Sequence, residues 1–181
     1  LVQTPASLKA ALNLDVRVRH DVTAVNTEAR TVTVSTDAGT EQISYDALIL
    51  SPGALAIRPP LPGIDSPRVH TLRTVEDATT LRGLVTAGAR RAVVLGGGFI
   101  GIEAAEALRL QGLETSVVEL SPHVLPPFES ELAHLITEEL TGLGIAVHDG
   151  VGAEAIEPGV GHDTVVLADG TRIEADLIVL S

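Results

Sequence analysis

Three glycines, Gly96, Gly98 and Gly101, stand at G-x-G-x-x-G spacing within "AVVLGGGFIGIEAAEAL". Each has a distinct physical job. A tight turn at Gly96 demands a residue without a Cβ, Gly98 lets a pyrophosphate approach the main chain, and Gly101 lets the next helix pack closely on the preceding strand. The anion then meets the unpaired N–H groups and the positive end of that helix. A dinucleotide site of this kind also needs an acid about 20 residues on, at the end of the second strand, to accept hydrogen bonds from ribose hydroxyls. Glu119, closing "TSVVEL", lies 18 residues past Gly101. Its carboxylate repels a 2′-phosphate, and the following "LSPHV" offers no Arg or Lys, so NADH is expected over NADPH. His123 is the only nearby group that could blur this preference. The competing reading is that the glycines serve only a turn and that Glu119 is a solvated strand end. Glu103, two residues into the helix counted from Gly101, either complements the helix dipole or lies beside a nicotinamide ring.

Positioning these groups requires a buried strand before Gly96 and a helix after it. Gly101, Ala104, Ala105 and Leu108 share one face of that helix, and the small residues keep the face close to a sheet. "TVEDATTLRGLV" predicts a second helix, capped by Thr74 with Asp77 three residues on. A third is expected over Glu129 to Leu143, where Leu132, Leu135, Ile136, Leu140 and Leu143 form an apolar stripe and Gly142 or Gly144 can stop it.

The chain also repeats itself. "VRVRHDV" faces "IAVHDGV", and "TVTVSTDAGTEQISYDALILS" faces "DTVVLADGTRIEADLIVLS". Val16 pairs with Ile145 at an offset of 129 and Ser51 with Ser181 at 130, so one single-residue gap is expected to align the copies. Both read as a strand, a meander of short strands and a buried strand ending at serine. Val22 and Val151 fall at matched turns, where a main-chain group could meet an adenine. Between the copies, "SPGALAIRPPLPGIDSPR" is proline-rich, which forbids helix and sheet interior and marks an extended crossover.

The fold class expected is α/β: a Rossmann-like parallel sheet with a βαβ dinucleotide fold and a three-stranded antiparallel meander, plus a partial second domain of the same kind. Residues 1–59 are read as the closing part of one domain and 60–181 as a whole second one. The chain opens on leucine and holds no methionine, so a boundary within a longer protein is expected. A net charge of −12 repels phosphodiester backbones and anionic lipid heads, which argues against nucleic acid and membranes as partners. No apolar run approaches the roughly 20 residues of a spanning helix, and no signal peptide is evident; a cytoplasmic location is expected. The absence of cysteine excludes disulfides, thiolate metal sites and thiol chemistry within these residues. The six histidines show no paired metal-ligand spacing, and Ser51 lacks the G-x-S-x-G context of a nucleophile.

The ordered set "YDALILSPGALAIRPPLPGI", "LRTVEDA", "VVLGGGFIGIEAAEALRLQGLETSVVEL" and "LADGTRIEADLIVLS" resembles the FAD-dependent pyridine nucleotide-disulfide oxidoreductases. The opening is most similar to the branch of NADH oxidases, NADH peroxidases and coenzyme A-disulfide reductases. The resemblance implies that 1–59 is the C-terminal part of an FAD-binding domain and 60–181 an NAD(H)-binding domain. It further implies that Gly96, Gly98, Phe99, Ile100 and Gly101 form the NADH pyrophosphate loop, that Glu119 is the ribose acid and that Glu103 lies near the nicotinamide and flavin rings. Ser51, Pro52 and Gly53 match a second flavin-contacting motif, and Val22 a position that touches the flavin's adenine portion. The family's first flavin fingerprint, its redox cysteine and its later flavin aspartate are expected outside these residues, so this segment alone is expected to be inactive. The whole protein would carry FAD, act as a homodimer and pass a hydride from NADH to FAD and on to a disulfide, peroxide or oxygen acceptor. The alternatives are an FAD-dependent ferredoxin reductase, which lacks the redox cysteine, and a non-catalytic NAD-binding module.

Overall fold

The computed structural model describes residues 3–181, in two compact units, Leu1–Gly53 and Ala54–Ser181. The first unit opens with α1 (Pro5–Leu12), a helix not anticipated above. Its signal is local: Thr4 caps it, Pro5 takes the first turn, and the Thr4 and Ser7 side chains each accept the other's N–H. Asn13 ends it in the left-handed conformation at φ 55°. An antiparallel meander follows, β1 (Asp21–Asn26), β2 (Thr31–Thr36) and β3 (Gly39–Ser44), with the alternating Val32 and Val34 of the central strand buried.

The second unit has a five-stranded parallel sheet of order β4-β11-β5-β6-β7. Its strands are β4 (Val69–Thr71), β5 (Arg91–Leu95), β6 (Glu114–Val118), β7 (Ile145–His148) and β11 (Leu177–Leu180). The helices are α2 (Val75–Thr86), α3 (Phe99–Leu110) and α4 (Ser130–Gly142), and a second meander comprises β8 (Ala153–Glu157), β9 (Asp163–Leu167) and β10 (Arg172–Ala175). Alternation along the parallel strands builds two cores. Val94, Val117 and Val179 pack with Ala104, Ala105 and Leu108 of α3, whereas their neighbours Val93, Val118 and Ile178 pack with Ile156, Val165 and Leu167 of the meander. The unit is therefore three layers, helices on one sheet face and a meander on the other.

The predicted helix cap holds, with Thr74 and Asp77 forming a reciprocal box. The α3 face is as expected: Gly101, Ala104, Ala105 and Leu108 are its buried residues. The α4 stripe needs correction, because Leu132 and Leu135 are exposed and the helix instead buries Ala133 and Leu140, with Ile136 and Leu143 partly covered. A small residue facing the sheet shifts the buried stripe around the helix.

Two polar anchors tie the layers. Buried Asp163 of β9 accepts from Ser66 Oγ, Arg68 Nη1 (2.9 Å) and Gly159 N–H (3.3 Å), joining the meander to the approach to β4. Asp176 accepts from Arg91 Nη2 (2.7 Å) and from the Arg90 and Arg91 amides. The Arg91 guanidinium holds its carboxyl at a pKa of about 2. The proline-rich segment is without helix or strand from Ser51 to Leu61, then packs so tightly on β8 that a Cβ on Gly63 would fall 1.8 Å from Ile156 O.

The repeat is real but not ungapped. Both meanders carry a bulge in the first strand, between Val22 and Ala24 and between Ala153 and Ala155. By that register Val22 matches Ala153, not Val151. The first connection is longer in the later copy (Glu157 to Thr164 against Asn26 to Thr31), and the second is shorter (Val166 to Arg172 against Thr33 to Gln42). One single-residue gap thus fails, because insertions and deletions fall in turns where they cost little. The closing strand also forms only once. Leu177–Leu180 is β11, while Ala47 to Leu50 form no strand and leave Ile49 and Leu50 exposed. Among the described residues, no helix is long and apolar enough to cross a membrane.

Candidate functional site

The glycine loop joins β5 to α3 at the carboxyl end of the parallel sheet. From β5 the chain runs outward through β6 and β7, and β11 and β4 lie on its other side, so the crevice beside β5 is the switch point where open α/β sheets bind ligands. A cleft of about 390 Å³ lies there, lined in part by Leu95, Gly96, Val118, Glu119, Leu180 and Ser181.

The three motif glycines differ in what the protein itself asks of them. Gly96 has φ +111°, a conformation L side chains rarely adopt, and a Cβ there would lie 2.5 Å from Ser181 O. Gly101 lies on the buried face of α3, where a Cβ would come 2.0 Å from Gly96 O. Both are required by the fold. Gly98 is not: its φ is −74°, and a Cβ on it would meet no atom within 4 Å. The space above it is open.

Gly98 is the N-cap of α3 and offers no side chain to the helix end. The first intrahelical bond is from Ile102 N–H to Gly98 O (3.0 Å), so the amides of Phe99, Ile100 and Gly101 stand ahead of it, where a helix has no carbonyl one turn back. Phe99 and Ile100 are exposed. Gly97 N–H, by contrast, is engaged by the protein itself, donating to Glu119 Oε2 at 2.7 Å.

Glu119 is buried, at 8% exposure, which contradicts a solvated strand end. Its other oxygen, Oε1, accepts Ser121 N–H at 2.7 Å. Burial pushes the carboxyl pKa up, but the Ser121 and Gly97 amides outweigh it and the net direction is down. The anion bridges the glycine loop and the segment after β6. A carboxylate has about four lone-pair sites, so two bonds leave acceptor capacity toward the crevice. Leu125 N–H closes the same connection by donating to Gly97 O (2.8 Å), and the Phe99 and Phe128 rings meet edge to face at 5.8 Å.

Other predicted positions fare differently. Glu103 is exposed and is the fifth residue of α3, so it lies beyond the first turn and the dipole argument for it fails. Val151 follows β7 as expected, but its N–H donates to Glu119 O (3.2 Å) and its side chain packs into the meander core. Val22 lies within β1, not in a turn. Ser51, Pro52 and Gly53 are exposed in an irregular stretch, with Gly53 at φ +73°. Sequence reasoning missed Gly97, Ser121 and Ser181 as parts of this site. Only the middle glycine of "GGG" hinted at one of them: a Cβ on Gly97 would sit 3.0 Å from Glu119 Cβ.

The profile of the pyridine nucleotide-disulphide oxidoreductases matches residues 4–181. An NADH oxidase of Methanocaldococcus jannaschii is 31% identical over 186 residues, spanning 100% of this chain and 41% of that protein. The solved structure of an NAD-dependent persulfide reductase from A. fulgidus is 31% identical with a TM-score of 0.90, covering 98% of this chain and 33% of that one. A ferredoxin reductase from Rhodopseudomonas palustris is 32% identical with a TM-score of 0.82, covering 90% of this chain and 40% of that one. This chain thus spans well under half of the length of these relatives. With its glycine loop, buried acid and three-layer fold in place, it belongs to the pyridine nucleotide-disulphide oxidoreductase family.

Proposed function

We propose that residues 60–181 form an NAD(H)-binding domain and residues 1–59 the closing part of an FAD-binding domain, within an oxidoreductase that takes hydride from NADH. The observation that carries this reading is Gly98. Its backbone would accept any residue and its Cβ would touch nothing, so the reason for glycine lies outside the protein, in a ligand approaching the main chain. The residues fit a dinucleotide: the amides of Phe99, Ile100 and Gly101 face a diphosphate, and the Glu119 carboxylate accepts from ribose hydroxyls while repelling a 2′-phosphate. What the bound dinucleotide supplies is a hydride for the flavin, and from there electrons for a disulfide, peroxide or oxygen acceptor. This chain's contribution is positioning, with Glu103 proposed beside the nicotinamide and Val151, through its carbonyl, beside the adenine. Val22, Ser51, Pro52 and Gly53 are the proposed flavin contacts, and the whole protein is proposed to be a homodimer.

Titration of the purified chain with NADH and NADPH tests the reading. Saturable NADH binding is expected, with NADPH at least about tenfold weaker. Gly98→Ala should lower the melting temperature only by the modest cost of alanine at an N-cap, yet weaken NADH about tenfold or more, since its methyl enters the ligand's space. Equal binding of both nucleotides, or an unaffected Gly98→Ala, sinks it. The likeness to a ferredoxin reductase favours a second reading, in which the electrons leave to a small iron–sulfur protein; NADH-dependent reduction of a ferredoxin by the whole protein decides between them.

A further inference from the structure

We propose that Ser181 is a positioning residue whose hydroxyl sets the conformation of the glycine loop for the diphosphate, an inference that rests on the NADH reading above. Ser181 directly follows β11, and its N–H continues the parallel ladder by donating to Leu95 O (3.0 Å). Its Oγ lies 2.9 Å from Gly96 O, with Leu95 O a weaker second acceptor at 3.3 Å. Gly96 N–H in turn donates to Val118 O (2.8 Å). Gly96 is therefore held by its amide from β6 and by its carbonyl from the end of β11.

That double hold has a chemical purpose. Gly96 sits at φ +111°, where glycine has many other conformations open to it. Rotation of the Gly96–Gly97 peptide would swing a carbonyl oxygen toward the crevice. A partial negative charge would then face the place where a diphosphate must meet N–H groups. The same peptide is held at both ends, its Gly97 N–H by Glu119 Oε2 (2.7 Å) and its Gly96 carbonyl by the Ser181 hydroxyl, and the hydroxyl opposes the rotation by keeping a donor on that carbonyl. It also occupies the seam between loop and helix: a Cβ on Gly101 would lie 2.5 Å from Ser181 Oγ. Ser181 itself lines the crevice with Gly96 and Glu119, but it acts on the ligand through the loop.

The test compares ligands with and without a diphosphate. Ser181→Ala is expected to weaken NADH and ADP about 3- to 10-fold, the loss of one hydrogen bond, while adenosine, followed by NMR titration, binds as in the wild type. Ser181→Thr retains the hydroxyl and restores NADH affinity, and Ser181→Cys, a weaker donor, falls between. Unchanged NADH affinity in Ser181→Ala overturns the proposal, as does equal weakening of adenosine, which would mark a general structural defect. If Ser181→Ala fails to fold, the ranking of Ser, Thr and Cys variants for ADP decides, and no difference among them overturns it. Wild-type protein without saturable NADH binding removes the underlying reading together with this one; wild-type binding with an unmoved alanine variant removes this one alone.

Discussion

The segments Asp46–Ser51 and Asp176–Ser181 are near copies in sequence and opposites in structure. Leu177–Leu180 lies between β4 and β5 with both ladders filled and each residue at most 5% exposed. Leu48, Ile49 and Leu50 pair with no strand among the described residues, and Ile49 is 91% exposed. The two meanders contrast in the same way, one covered by a sheet and anchored through Asp163, the other with its outer strands exposed. Apolar, β-branched composition is thus permission for a strand; neighbours on both sides are what fix it.

The contrast can be broken most severely at the anchor. Asp163→Ala leaves the Arg68 guanidinium and Ser66 without their shared partner and should cost about 3 kcal/mol or more, while alanine at its counterpart by strand pairing, Arg30, should change stability by less than about 0.5 kcal/mol. Denaturant unfolding of both variants measures the difference, and comparable losses would show that the meanders are equally anchored. Next in size, Leu180→Ala should cost about 2–5 kcal/mol through a cavity in the core, against about 0.5 kcal/mol or less for Leu50→Ala, which is already in solvent. A large effect at Leu50 would mean that the first segment is packed in solution. The smallest effect is pH-dependent. Asp176, held by Arg91, has a folded pKa of about 2 against an ordinary 3.8. Its stabilisation is therefore present above about pH 4 and lost as pH falls through 2. Thermal melts from neutral to acid should show this loss, and Asp176→Asn should flatten it.

Most of the second unit was legible because its signals are local. The G-x-G-x-x-G spacing, the Thr74–Asp77 box and the small face of α3 each act within a turn or a single element, where residue type fixes geometry, and Glu119 was legible through its fixed distance from the glycines. What escaped depends on distant partners. The α4 stripe rotated because Ala133, not Leu132, met the sheet. The Val22–Val151 match failed because strand pairing, which sets Val22 opposite Val34 and Ala153 opposite Leu167, puts Ala153 in the place of Val22. Ser181 gained its role only through a bond to Gly96, 85 residues away, and Ser121, two residues past Glu119, acts through its backbone amide, which residue type does not signal.

The hydroxyl at the end of β11 reaches the glycine loop across 85 residues of chain. β5, α3 and β6 can associate through short-range contacts, but Gly96 is not clamped until β11 has threaded between β4 and β5. The clamp on the Gly96 carbonyl is therefore a non-local contact, and it exists only once β11 lies in the sheet beside β5.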